Sequence, residues 1–151
     1  MPTVTLVTDI AAPPDAVFAV IADYSQGPTW QRNMTSARWT SPEPHGVGST
    51  FEQTAHFMGR DMTASYEVTE HDAPRVTAIR STSGPFPITV RRVVEPRPGP
   101  GGAVGTRVTE TDTGGPGGGA RLFSPLMKVM MKKTITRDYR RLKEMLESAP
   151  R

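Results

Sequence analysis

Apolar and polar residues alternate with a period of two along most of this chain, and the period changes to three and four near its end. Val4, Leu6, Thr8 and Ile10 alternate with their neighbours and predict a first strand that stops at Ala11-Ala12-Pro13-Pro14. The prolines then open a short helix with Val17, Val20 and Ile21 on one side. Asp23 to Trp30 reads as a second short helix or a loop, broken by Gly27-Pro28. A strand around Met34 to Thr40 precedes a turn rich in Pro42, Pro44, Gly46 and Gly48.

The middle of the chain fixes register. Phe51, Gln53, Ala55 and Phe57 alternate up to Met58-Gly59, and Met62, Ala64, Tyr66 and Val68 alternate after it. A two-residue loop there pairs 57 with 60, Ala55 with Met62 and Phe51 with Tyr66, so both apolar phases share a face. Gly84-Pro85 acts in the same way, pairing Ser83 with Phe86 and Ile79 with Val90 and leaving Arg80 on the other side. A hairpin symmetric about Gly101 sets Val94 opposite Val108 and Arg92 opposite Glu110. Arg92 is in phase with Phe86, Ile88, Val90 and Val94, and Glu110 with Val104 and Val108. The pattern predicts six or seven largely antiparallel strands, with Gly114 to Gly119 as a flexible hinge after the last.

Residues 125–147 form the one long helical pattern, with Ser124 as N-cap and Pro125 in the first turn. Met127, Met131, Ile135, Leu142, Met145 and Leu146 fall on one stripe, which also carries Asp138. Such a helix laid over a concave sheet leaves a gap, and flexible methionines line irregular gaps well. Leu126, Val129 and Met130 fall on the other side, among Lys133, Arg137 and Arg140.

Composition narrows the function classes. A chain of 151 residues suits one domain with a real core. It has no cysteine, hence no disulfide or thiolate chemistry, and no apolar run of about 18 residues for a membrane span. The start, MPTVTLVTD, lacks the marks of a signal peptide, so a cytoplasmic location is expected. Net charge is +3 but unevenly placed. Residues 120–151 hold nine Lys/Arg against three Asp/Glu, and the remainder nine against twelve. All four lysines lie on the terminal helix, where they mark either a solvated face or a weak contact with an anionic surface.

The order of strand, AAPPDAVFAVIADYSQGPTWQ, a meander with Val47-Gly48 and Gly84-Pro85-Phe86, then Gly105-Thr106-Arg107-Val108 and a helix closing on RLKEMLE, resembles a known group. That group is the polyketide cyclase/dehydrase-like branch of the START and pollen-allergen (SRPBCC) superfamily. The resemblance implies an α+β helix-grip fold: seven antiparallel strands wrapped around the last helix, with an apolar cavity between. It also implies binding of lipids, sterols, polyketides, quinones or hormones, or, in a minority of members, cyclisation, dehydration or hydrolysis. No catalytic motif of that minority is present.

His45, His56 and His71 have no metal-site spacing and are expected at the surface. There is no nucleophile elbow and no phosphate loop. No cofactor, metal or nucleic acid is expected. Arg92 and Glu110, if inward, form a cross-strand pair that either orients a ligand's polar head or is purely structural. Asp138 is either a cavity carboxylate or a partner for an arginine such as Arg92. The expected ligand-binding set is Trp30 (near the cavity mouth), Trp39, Phe51, Phe57, Tyr66, Phe86, Arg92, Glu110, Met127, Met131 and Ile135. The expected function is binding of a small lipid-like or polyketide-like molecule within a single domain, 1–151. One alternative is a cyclase or dehydratase using Glu110, Asp138 or Tyr66. The other is a module that docks on a membrane or protein, or dimerises, through the basic helix.

Overall fold

The computed structural model describes residues 3–57, 59–84, 87–114 and 125–148. The expectations placed on Met58, Pro85, Phe86, Gly115 to Gly119 and Ser124, and on the side chains of Phe57, Leu126 and Met127, lie outside the described residues.

Seven strands form one antiparallel sheet: β1 (Thr3–Ile10), β2 (Met34–Trp39), β3 (Thr50–Phe57), β4 (Arg60–Asp72), β5 (Val76–Ser83), β6 (Ile88–Pro98) and β7 (Val104–Gly114). Their spatial order is β1-β7-β6-β5-β4-β3-β2. Five neighbouring pairs are thus consecutive in the chain, and β1 alone crosses over to join the last strand. The sheet curls, and α1 (Pro14–Ile21), α2 (Gly27–Trp30) and α3 (Pro125–Ser148) belong to a helix-grip fold.

Register follows the alternation. Phe57 faces Arg60, Ala55 faces Met62 and Phe51 faces Tyr66. Ile79 faces Val90, Arg92 faces Glu110 and Val94 faces Val108. The pattern misplaces Val104, which is in phase with the inner residues yet exposed, because it sits at the tip of the β6–β7 hairpin. Gly114 is the last residue of β7, paired with Ile88, and not the start of a hinge. Its φ is +119°, and a Cβ there would lie 2.0 Å from the Pro87 carbonyl oxygen, so only glycine fits.

Local signals explain the short helices. Pro13 is extended and Pro14 takes the first turn of α1. Asp23 Oδ1 accepts from the Ser25 amide (3.2 Å) and hydroxyl (2.6 Å), which starts a 3₁₀ turn at Tyr24–Gln26. Pro28 then opens α2 instead of breaking it, since its missing N–H falls in the first turn.

The core has two parts. Under the helices, Ile10, Val17, Phe18, Ile21, Trp30, Val94, Val108, Tyr139 and Leu142 pack together, with Ile135, Met145 and Leu146 of α3 against them. Toward β3 and β4 lies an aromatic stack. Tyr24 lies flat on Phe51 (4.6 Å between centroids), and Phe51 on Tyr66 (5.2 Å), with Trp39 edge-on to both Tyr24 and Phe51. The end of α3 is tied to the end of β1: Lys143 Nζ donates to the Asp9 carbonyl (3.0 Å), and Glu147 Oε2 accepts from the Ala11 amide (2.8 Å).

Candidate functional site

Across the inner face of the sheet, pairing lines up Leu6 of β1, Glu110 of β7, Arg92 of β6 and Thr77 of β5. The next row holds Val4, Asp112, Val90, Ile79 and Val68. Polar groups therefore stand in the middle of an otherwise apolar wall.

Arg92 and Glu110 are each 5% exposed. Arg92 Nε donates to Glu110 Oε1 (2.7 Å), and its Nη1 donates to the Ile21 carbonyl (2.9 Å) at the end of α1. The Tyr24 and Trp30 rings face the guanidinium at 5.5 and 5.0 Å. Arg92 thus ties the sheet to the C-terminal, negative end of α1. Tyr24 in turn exchanges a 2.8 Å hydrogen bond with Thr77. From the helix side, the Tyr139 hydroxyl donates to Glu110 Oε1 (2.6 Å).

Burial alone would raise the pKa of Glu110, but the Arg92 charge, with hydrogen bonds from Asp112, Tyr139 and Arg92, holds it below the usual carboxylate range. Its neighbour goes the other way. Burial pushes the Asp112 carboxyl well up, and the negative charge of Glu110 and a hydrogen bond shared with it push further, against Arg92. A hydrogen bond between two carboxyl groups needs a proton between them, and the opposite directions of the two shifts favour Asp112 as its carrier. Its Oδ1 is buried and has no hydrogen-bond partner. A buried acceptor left open in this way is costly and marks a place where a donor belongs. Tyr66 is close enough to be affected. Burial raises its pKa, a hydrogen bond with Gln53 opposes this, and Asp112 adds to it.

A family model described as "Polyketide cyclase / dehydrase and lipid transport" matches residues 1–149. The chain belongs to the polyketide cyclase/dehydrase and lipid transport family. Uncharacterised proteins of Mycobacterium tuberculosis and Mycobacterium bovis are 38% identical over 61 residues, which is 39% of this chain. The match spans only about a third (36%) of those relatives' own length. Among solved structures, TTHA0849 of Thermus thermophilus is similar with a TM-score of 0.80 and 23% identity, covering 99% of this chain and 100% of that one. A START superfamily protein of Mycobacterium smegmatis gives 0.75 at 15% identity over 96% and 97%. Ara h 8.0201 gives 0.68 at 13% identity over 98% and 99%. At these identities the likeness is one of fold.

The family's fold brings some of the expected residues together and separates others. Arg92, Glu110, Trp30 and Tyr139 form one buried group, and Trp39, Phe51 and Tyr66 form the aromatic stack. Trp30 is 2% exposed and edge-on to Tyr139 (5.2 Å), so it is enclosed and does not stand at a rim. Asp138 does not pair with Arg92. Its Oδ1 accepts from the Arg32 amide (3.1 Å), which fastens α3 to the segment after α2, and burial raises its pKa. Met131 and Ile135 are half-buried on the inner side of α3.

Two of the three histidines are exposed as expected: His56 lies beside Asp61, and His71 is also at the surface, while His45 is half-buried and stacked on Trp39 at 3.8 Å. A bulge between Val68 and Glu70 shifts the phase of β4, so His71 turns toward Phe18 (5.6 Å). His45 and His71 share an open groove of about 340 Å³ with Phe18, Ala22 and Trp39. No group of three His, Asp or Glu side chains among the described residues is placed to hold a metal ion.

Asp112, Tyr139 and Tyr24 were not legible as site residues, although two of them had a signal. Asp112 follows Glu110 by two on the same strand and so shares its face. Tyr139 follows Ile135 by four on the helix and so shares its stripe.

Proposed function

We propose that the protein binds a small hydrophobic or amphipathic molecule between the inner face of the sheet and α3, with Asp112 receiving its polar end. The observation that carries this is the buried, open Oδ1 of Asp112, set between Val4 and Val90 on the inner face of the sheet. With the proton shared with Glu110 on the other oxygen, Oδ1 acts as an acceptor and calls for a ligand hydroxyl or N–H. A ligand carboxylate would meet an oxygen with no proton to give. Tyr66, Val90 and Ile79 supply the adjoining wall, and half-buried Met131 and Ile135 the opposite one. Apolar contact supplies affinity at about 25 cal/mol per Å² before association costs. The family description, with its mention of lipid transport, agrees with this ligand class.

Displacement of an environment-sensitive naphthalene dye tests the reading. Long-chain alcohols are expected to displace it, their methyl ethers roughly tenfold more weakly, and Asp112→Leu to erase the difference. Equal potency of alcohols and ethers on the wild type would overturn the role of Asp112. Failure of every chain length to displace the dye would overturn ligand binding.

A cyclase or dehydratase is the second reading, and one observation favours it: two buried carboxyls, Asp112 and Glu110, share a hydrogen bond and have pKa values pushed in opposite directions, as suits an acid and its relay. Loss of water from a β-hydroxy ketone, abolished in Asp112→Asn, is the result that would support it.

A further inference from the structure

The outer face of α3 is charged differently from the outer face of the sheet. On the sheet, Arg80, Arg91 and Arg107 each meet a carboxylate of the neighbouring strand: Glu67 (2.7 Å), Glu70 (2.9 Å) and Asp9 (2.7 Å). Those charges are neutralised in place. On α3, successive residues turn by about 100°, so Val129, Met130, Lys133, Arg140 and Arg141 share the side opposite Ile135 and Leu142. Arg137 also falls on this side, half-buried against Asn33, and its acids among the described residues are Glu144 and Glu147, the latter bonded to Lys143 and the Ala11 amide. Among the described residues, Lys133, Arg140 and Arg141 form no ion pair, nor do Lys128 and Lys132 toward the start of the helix. Val129 and Met130 stand in this cationic field 59% and 47% exposed.

We propose that this face docks α3 on an anionic lipid surface. Unneutralised cations alone would suit any polyanion. The exposed valine and methionine decide the choice, because a phosphate backbone has no use for them and a lipid surface takes them into the headgroup–acyl boundary. The cations then lie level with the phosphates, and each one near an anionic bilayer raises partitioning roughly fivefold. The contact is peripheral: no helix of the described residues is long and apolar enough to cross a membrane. The proposal stands apart from the ligand reading, since it uses the opposite side of the helix.

Vesicle sedimentation of the full chain tests it, using phosphatidylcholine alone and phosphatidylcholine mixed with phosphatidylserine. Binding is expected only to the mixed vesicles, falling as salt shortens the Debye length. Replacing Lys133, Arg140 and Arg141 together by Gln should weaken partitioning on the order of 100-fold. Replacing Val129 and Met130 by Ser should weaken it several-fold while preserving the salt slope. All five are exposed, so both variants should melt with the wild type. Absence of sedimentation at low salt, or equal sedimentation of the triple variant, overturns the proposal. So does an unchanged Ser variant that binds short duplex DNA as tightly as vesicles, which would mark the face as one for nucleic acid.

Discussion

Tyr139 and Glu110 are 29 residues apart in the chain, and the tyrosine hydroxyl donates to the carboxylate across 2.6 Å of buried space. This bond joins α3 to the centre of the sheet. Removing it in Tyr139→Phe leaves the ring packed against Trp30 and takes away only the donor. The expected cost is about 1.5–3 kcal/mol, the range for a hydrogen bond to a charged group, measured by urea unfolding. A cost near zero would mean that Asp112 and Arg92 satisfy Glu110 without it.

Arg92 and Glu110 should behave as a unit. Glu110→Gln leaves a buried guanidinium without its counter-charge and should cost about 3–5 kcal/mol. Arg92→Met strands Glu110 in the same way. The double variant Arg92→Met/Glu110→Gln should be more stable than the sum of the single effects, because no unpaired charge remains. Additive losses in that double-mutant cycle would show that the two do not interact.

Asp112 makes stability depend on pH in an unusual direction. Its folded pKa lies above the ordinary 3.8, so its contribution is full below that value and is lost as pH rises through the folded one. Glu110 has the opposite sign: its contribution is present above the ordinary 4.5 and is lost as pH falls. Asp112→Asn keeps a neutral group of the same shape. The variant should therefore gain on the wild type as pH is raised above the ordinary 3.8 and through the folded value, as followed by urea midpoints. Parallel curves would mean that Asp112 ionises normally.

Gly114→Ala should be poorly tolerated although it adds one methyl group. The residue needs a positive φ, and the new carbon would collide with the Pro87 carbonyl. A loss of about 1–3 kcal/mol in thermal melts is expected. The same change at Gly46, where a Cβ meets nothing within 4 Å, should be close to neutral.

Most of the sheet was legible because two signals agreed. A period of two picks the face, and a glycine turn picks the partner, as at 84–85 and about Gly101. That sufficed to place Arg92 opposite Glu110. It did not reveal what Arg92 does, since the Ile21 carbonyl and the Tyr24 and Trp30 rings come from helices whose angle to the sheet no periodicity encodes. The bulge after Val68 was also hidden, and with it the turn of His71 toward Phe18. Asp112 is a different case. The alternation placed it inward, but its meaning depends on a proton shared with Glu110, which only proximity shows.

The pairing of β1 with β7 has a consequence for synthesis. Thr3 and Thr113 meet across 110 residues, and β1 has no sheet neighbour other than β7. A nascent chain therefore carries its first strand unpaired, apolar side included, until almost all of the sheet has been made. The last strand to emerge completes the first, so the interval of greatest exposure to aggregation is set by topology and falls before release from the ribosome.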